Sequence, residues 1–223
     1  MSKPYKIHKD VYILGSSDIT HPSDCSIYLL DAGDLVLIDA GAGRSFNKLL
    51  ANIEKLGLDP KKLKTVLATH AHIDHIGALH QFQKTFGAKI IAHELDADAI
   101  EGSGSVAAEA YGIAYTPCHI DLRIKGSEET LKFGKHALKV IHIPGHTPGS
   151  IAAYVDIEGE RVLFGQDIHG PYYPEWGADP ALAKLSLQKL IDLKADILCE
   201  GHFGIYQPAS EVKRYIQHYV DML

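Results

Sequence analysis

At 223 residues, with 46% hydrophobic and 22% charged residues, the chain has the composition of one globular domain with a substantial core. Its formal charge of -6 counts against a nucleic-acid-binding surface, which needs a basic excess or patch. Three cysteines without Cys-x-x-Cys spacing (Cys25, Cys118 and Cys199) exclude a disulfide framework and a thiolate zinc site, and fit a reducing cytoplasm. The N-terminal Met1-Ser2-Lys3-Pro4-Tyr5-Lys6 leads into no apolar signal core, and no run approaches a membrane span, so a soluble intracellular protein is expected.

In chain order, short β-rich runs come first: Val11 to Leu14, Ser26 to Leu30 and Leu35 to Ile38. Asp31-Ala32-Gly33-Asp34 reads as a hairpin turn between the last two. Asp39-Ala40-Gly41-Ala42-Gly43 then precedes a helix from Ser45 to Leu56, stopped by Gly57. A dinucleotide fingerprint fails there, because its third glycine would fall on Phe46. The lysines of Lys61-Lys62-Leu63-Lys64 read as a solvated loop or helix end, and Val66-Leu67-Ala68 as a buried strand. A helix continues from Ala78 to Phe86, followed by a strand at Lys89 to Ala92 and a helix from His93 to Ile100. Residues 101 to 127 carry no readable pattern. Strands return at Glu129 to Phe133, Leu138 to Ile143, Ile151 to Val155, Arg161 to Phe164 and Ile197 to Cys199. Helices from Pro180 to Leu193 and Ser210 to Leu223 complete the chain. So many hairpins do not suit a doubly wound parallel sheet; two sheets face to face with helices outside would satisfy the order.

The segment Thr69-His70-Ala71-His72-Ile73-Asp74-His75-Ile76-Gly77 dominates the chemistry. In extended backbone, side chains at i and i+2 point the same way, so His70 and His72 can face one point. A helix starting near Ile73 would aim Asp74 and His75 at a second point nearby. Imidazole and carboxylate are the usual ligands of zinc and similar first-row ions. Three further candidates follow strands: His146 in Pro144-Gly145-His146-Thr147, Asp167, and His202 in Glu200-Gly201-His202. Rigid strand ends could bring all of them to one edge. Thr116-Pro117-Cys118-His119 mimics the setting of His146, but no clear strand precedes it, so His119 is set aside.

With these elements the chain resembles the metallo-β-lactamase superfamily of metallo-hydrolases, over nearly its whole length. The resemblance runs from Ser26-Ile27-Tyr28-Leu29-Leu30 and Leu37-Ile38-Asp39-Ala40-Gly41, through the H-x-H-x-D-H core, to Gly201-His202. It implies an α/β (α+β) fold, a four-layered αβ/βα sandwich of two mixed β-sheets flanked by helices, with a metal site at the edge between the sheets. It implies that His70, His72 and His146 bind a first ion, that Asp74, His75 and His202 bind a second, and that Asp167 bridges them. Asp74 and Asp167 become the catalytic carboxylates, and Asp39 supports the histidine loop from behind. Gln166 departs from the pattern, since many relatives place glycine just before the bridging aspartate.

The implied cofactors are two divalent metal ions, zinc by preference, with iron or a mixed iron–zinc pair as other occupants. A shared hydroxide would attack an ester-like bond of a small-molecule substrate: a thioester, lactone, ester or small phosphodiester. Among relatives, the glyoxalase II and lactonase group is the most similar, although only 21 residues follow His202, few for a glutathione-binding extension. The alternative is a mononuclear iron persulfide dioxygenase, which uses nearly the same ligands. No nucleic-acid or membrane partner is expected, and a homodimer follows from family behaviour alone. For the substrate pocket, His169 sits two positions after Asp167, and Pro171-Tyr172-Tyr173-Pro174-Glu175-Trp176 could form an apolar wall completed by Phe203 and Tyr206. Tyr172 or Tyr173 could also donate to a developing oxyanion. A packed loop is the plainer reading of those aromatics, and an exposed loop residue that of His21.

Overall fold

A computed structural model describes residues 2–174 and 177–223. Seven strands form the first sheet: β1 (Tyr5–His8), β2 (Val11–Gly15), β3 (Ile27–Asp31), β4 (Leu35–Ile38), β5 (Leu63–Leu67), β6 (Lys89–His93) and β7 (Leu122–Ile124). They lie in sequence order, antiparallel from β1 to β4 and parallel from β4 to β7. Interleaved are α1 (Phe46–Lys55), α2 (Ile73–Ile76), α3 (Leu79–Phe86), α4 (Glu94–Asp98) and α5 (Ala108–Tyr111). The second sheet has the order β13-β12-β11-β10-β9-β8, built from β8 (Glu128–Phe133), β9 (His136–His142), β10 (Ile151–Ile157), β11 (Glu160–Gln166), β12 (Ile197–Glu200) and β13 (Ile205–Tyr206). Among the described residues only β11 and β12 pair in parallel there, joined through α6 (Pro180–Asp192); α7 (Ala209–Met222) is the last element.

Side-chain alternation explains the layering. Leu29 and Leu37 point outward to Leu49 and Ile53 of α1 and Phe82 of α3, while their neighbours Leu30, Val36 and Ile38 point inward to Val140, Val155 and Phe164 of the second sheet. On the far side, Leu163 and Leu198 pack against Leu187 and Leu190 of α6 and Ile216 of α7. Strands covered on both faces read as continuous apolar runs, which is why β3 and β4 lack polar alternation. The result is the expected helix–sheet–sheet–helix sandwich of two mixed sheets.

Several elements differ from expectation. The strand expected at Val66 to Ala68 begins at Leu63, because Leu63 and Thr65 are buried while Lys64 turns to solvent; Pro60–Lys62 before it forms a 3-10 turn. The helix after the histidines is broken at Gly77-Ala78, separating α2 from α3. A Cβ on Gly77 would collide with the Ala42 backbone, so glycine lets the Asp39–Gly43 loop lie against the histidine loop. Within 101 to 127 the structure places the end of a π-helical turn, α5 and β7. The edge strands β1, β7 and β13 are short or polar, which hides them from a hydrophobic-pattern reading. Among the described residues no helix is long and apolar enough to cross a membrane.

Candidate metal centre

The first sheet supplies four donors from one short segment. After β5 the chain bends at His70 and Ala71, His72 (φ −88°, ψ 145°) is the residue that caps α2, and Asp74 and His75 project from the first turn of that helix. Asp39, just past β4, anchors the segment: Oδ1 accepts from the Thr69 N–H (2.8 Å), and Oδ2 accepts from the Thr69 hydroxyl and from His75 Nδ1 (both 2.8 Å). The second sheet delivers the rest. His146 comes from the loop after β9, Asp167 follows β11, and His202 follows β12.

These seven side chains meet at one edge in two groups. His72 Nδ1 lies 3.1 Å from His70 Nε2 and 2.9 Å from His146 Nε2. His202 Nε2 lies 3.4 Å from His75 Nε2 and 3.1 Å from Asp74 Oδ2. Asp167 stands between them: Oδ2 is 3.4 Å from both His146 Nε2 and His202 Nε2, and Oδ1 is 3.3 Å from His75 Nε2. His119, the decoy, sits elsewhere, its side chain largely exposed beside Glu101.

The outer hydrogen bonds show that this arrangement suits cations. The Pro171 carbonyl can only accept, so His146 carries its proton on Nδ1 (3.0 Å) and turns an Nε2 lone pair inward. Asp39 enforces the same tautomer on His75. The Thr69 hydroxyl donates to Asp39 and so accepts from His70 Nδ1 (3.1 Å), again leaving Nε2 free. The Nε2 lone pairs of His70 and His146 therefore converge with no proton between them, and Asp39 turns Nε2 of His75 the same way, the orientation that outer partners impose on metal-ligating histidines. Asp167 Oδ1 is buried without a hydrogen-bond donor, as a carboxylate oxygen reserved for a cation would be. The donor set fits divalent ions.

Electrostatics divide the two groups. Burial pushes His146 down to about 3 and His70 well below the usual imidazole range, with neighbouring imidazoles adding to the effect for His70. Burial also depresses His72. In the other group burial would depress His75 and His202 too, but carboxylates outweigh it. His75 is raised well above its ordinary value with Asp167, Asp39 and Asp74 around it, and His202 reaches about 10 through Asp167 and Asp74. Cys25 also borders His75, but burial pushes its own thiol up, so it is neutral and the carboxylates carry the effect. Despite their burial, Asp167 and Asp74 are held below the usual carboxylate range by His75 and His202. Without an ion, protons on His75 and His202 occupy the place a cation would take.

Two buried carboxylates that the sequence did not single out hold the ligand loops. Asp96 of α4 accepts from the Ala71 N–H (2.9 Å), the Thr147 hydroxyl (2.7 Å) and the Gly149 N–H (2.7 Å), joining the His70–His72 loop to the His146 loop. A Cβ on Gly149 would fall 2.6 Å from the Asp96 side chain, so only glycine allows this approach. Glu200, fully buried at the end of β12, accepts from the His202 N–H (2.6 Å), the Phe203 N–H (2.7 Å) and His169 Nδ1 (2.9 Å). A glutamate closing the apolar strand Ile197-Leu198-Cys199 was the available signal for Glu200; Asp96 reads as an ordinary polar helix residue and offered none.

A cavity of about 660 Å³ opens over the centre, with His72, Asp74, His146, Asp167 and His202 in its floor. His169 and Phe203 line it as expected. Tyr172 does not: its hydroxyl donates to the Ile168 carbonyl (2.7 Å) and its ring meets His146 edge-on. Tyr206 stacks on Tyr215 of α7 at 3.9 Å and also lies off the cavity, as do half-exposed Tyr173 and His21. Trp176 lies outside the described residues. The walls that the sequence missed come from Tyr5, from Ser16–Ile19 after β2, and from Tyr111 of α5.

A two-sheet sandwich with a histidine–aspartate centre at its open edge defines the class of metallo-hydrolases. The comparisons agree. The family model of the Metallo-beta-lactamase superfamily matches residues 21–202, and the chain belongs to that superfamily. The hydroxyacylglutathione hydrolase GloC of Haemophilus influenzae is 30% identical over 200 residues, covering 86% of this chain and 90% of its own. The probable metallo-hydrolase YqgX of Bacillus subtilis is 35% identical over 65% of this chain and 66% of its own. BJP-1, a subclass B3 metallo-beta-lactamase of Bradyrhizobium japonicum, superposes with a TM-score of 0.82 at 21% identity, over 99% of this chain and 92% of that one. GOB-18 from Elizabethkingia meningoseptica gives 0.79 at 26% identity, over 100% and 89%.

Proposed function

We propose that the protein is a binuclear metal-dependent hydrolase acting on an ester-like bond, a thioester, lactone or ester, of a small molecule. The observation that carries this reading is the position of Asp167, within 3.4 Å of donors from both groups and with one oxygen lacking a hydrogen-bond donor. His70, His72 and His146 would hold one ion, and Asp74, His75 and His202 the other, with zinc the preferred occupant. When bound, the ions would supply Lewis-acid activation of water and of the scissile carbonyl. The chain supplies the geometry: Asp39 and the Pro171 carbonyl fix ring tautomers, while Asp96 and Glu200 fix the loops. His169, held at Nδ1 by Glu200, borders the cavity beside His202 and is placed to meet substrate. GloC, by its name a hydroxyacylglutathione hydrolase, puts thioester cleavage among the first reactions to assay.

The test is metal content per chain on protein purified without added metal, with turnover of a thioester, a lactone, an ester and a glutathione persulfide. Close to two ions with hydrolysis is the expected result. About one iron with persulfide-dependent oxygen uptake would replace this reading with that of the dioxygenase.

A further inference from the structure

We propose that the cavity selects an uncharged acyl ester, thioester or lactone with an apolar tail, against substrates carrying anionic groups away from the scissile bond. This rests on the hydrolase reading above. Tyr5, Tyr111 and Phe203 are large side chains left 49%, 39% and 60% exposed. They come from β1, from α5 and from the turn after β12, yet all three line the same cavity. Single exposed aromatics need no explanation, but three gathered at the mouth of a reactive site form an apolar collar suited to a ligand. Tyr111 shares that cavity with Asp74 of its floor.

The rest of the outer wall has a matching charge character. Ser2, Ser16 and Ser17 offer neutral hydroxyls, and the charged side chain there is the carboxylate of Asp18. Among the described residues no lysine or arginine lines this cavity. Two cations nearby in the chain are turned to backbone oxygens: Lys48 Nζ donates to the Thr20 carbonyl (2.9 Å) and Arg44 reaches the Gly112 carbonyl (3.4 Å). Bound ions would attract negative charge at the reacting centre itself, so the discrimination falls on charge carried further out. There an anion would meet Asp18 and three aromatic faces, and among the described residues of that wall it would find neutral serine hydroxyls but no lysine or arginine to offset its lost hydration.

The test uses the full, zinc-loaded protein and neutral thioesters of four to ten acyl carbons, beside ω-carboxylate analogues and a glutathione thioester. The expected kcat/KM rises by up to about fourfold per methylene, and each ω-carboxylate is poorer than its neutral match by about tenfold. Phe203→Ala should flatten the chain-length series, and Asp18→Lys should raise the ω-carboxylates selectively. A flat series, or a charged or glutathione thioester that equals the neutral ones, would overturn the proposal. If no thioester, ester or lactone is cleaved, the hydrolase reading fails separately, and calorimetry still tests the cavity. Octanamide binding at least about tenfold tighter than butanamide, weakened in Phe203→Ala, supports the apolar collar; equal binding of the two amides overturns it.

Discussion

The two halves of the candidate metal centre are built from the same side-chain types but solve opposite electrostatic problems. Around His70, His72 and His146, burial keeps imidazoles neutral, and their loops are tied by Asp96 to backbone and hydroxyl donors. Around Asp74, His75 and His202, buried carboxylates crowd together, and His202 stays 25% exposed to the cavity. The first half is a neutral cage that is complete without charge. The second demands a positive charge, from protons or from an ion. Burial alone therefore does not set the character of such a site; the count of carboxylates within reach does.

Removing Asp167, the proposed shared ligand, should erase this distinction and produce the largest effect. Asp167→Ala is expected to cost both ions more than about a hundredfold in affinity, beyond what loss of an outer partner costs, with hydrolysis lost in parallel. Titration with zinc against a chelator would show it, and retention of both affinities would break the comparison. Asp96→Ala should instead act on the first half alone, weakening one ion by roughly 10–100-fold while the other keeps its affinity. It also strands the Ala71 and Gly149 N–H groups, so thermal stability should fall by about 1–3 kcal/mol for each. Glu200→Gln should mirror it more weakly, at about tenfold on the second ion, because glutamine still accepts from the His202 and Phe203 N–H groups. Equal losses at both sites in either variant would mean a general loosening of the fold.

Acidity separates the halves without mutation. In metal-free protein His202 sits at about 10, against roughly 6.5 in an unfolded chain. Its stabilisation is fully present below the unfolded value and is lost as pH rises through the folded one. His146, at about 3, works the other way: acidification below roughly 6.5 protonates only the unfolded chain, so stability falls. Thermal melts should therefore peak near neutrality, with an alkaline decline that zinc abolishes by replacing the protons. Parallel apo and zinc-loaded profiles between pH 7 and 10 would contradict this division. The smallest effect belongs to Phe203→Ala, whose side chain is mostly exposed; its melting free energy should change by less than about 0.5 kcal/mol.

How much of this was legible depended on whether a residue declares itself by chemistry or by contact. The seven histidines and aspartates stand out because few other settings concentrate such donors at strand ends, and the structure brings all of them to one edge. The layering was legible because strands and helices alternate in blocks with hairpins in both halves, which two sheets face to face with helices outside satisfy. Asp96 was not, since its role exists only through donors 25 and more residues away. Of the expected wall, Pro171 and Phe203 line the cavity, but two of its tyrosines do not, for a similar reason. Tyr172 and Tyr206 are near the ligands in sequence, but they spend their hydroxyls on the Ile168 and Phe203 carbonyls and lie off the cavity. The residues that do form its mouth, Tyr5 and Tyr111, lie in segments without periodic signal.

The most direct test is anomalous diffraction from crystals of the zinc-loaded protein. Two peaks about 3.5–4 Å apart are expected, one within the His70, His72 and His146 group, one within the Asp74, His75 and His202 group, with Asp167 touching both. A single peak at full occupancy, or two peaks that do not share Asp167, would contradict this arrangement.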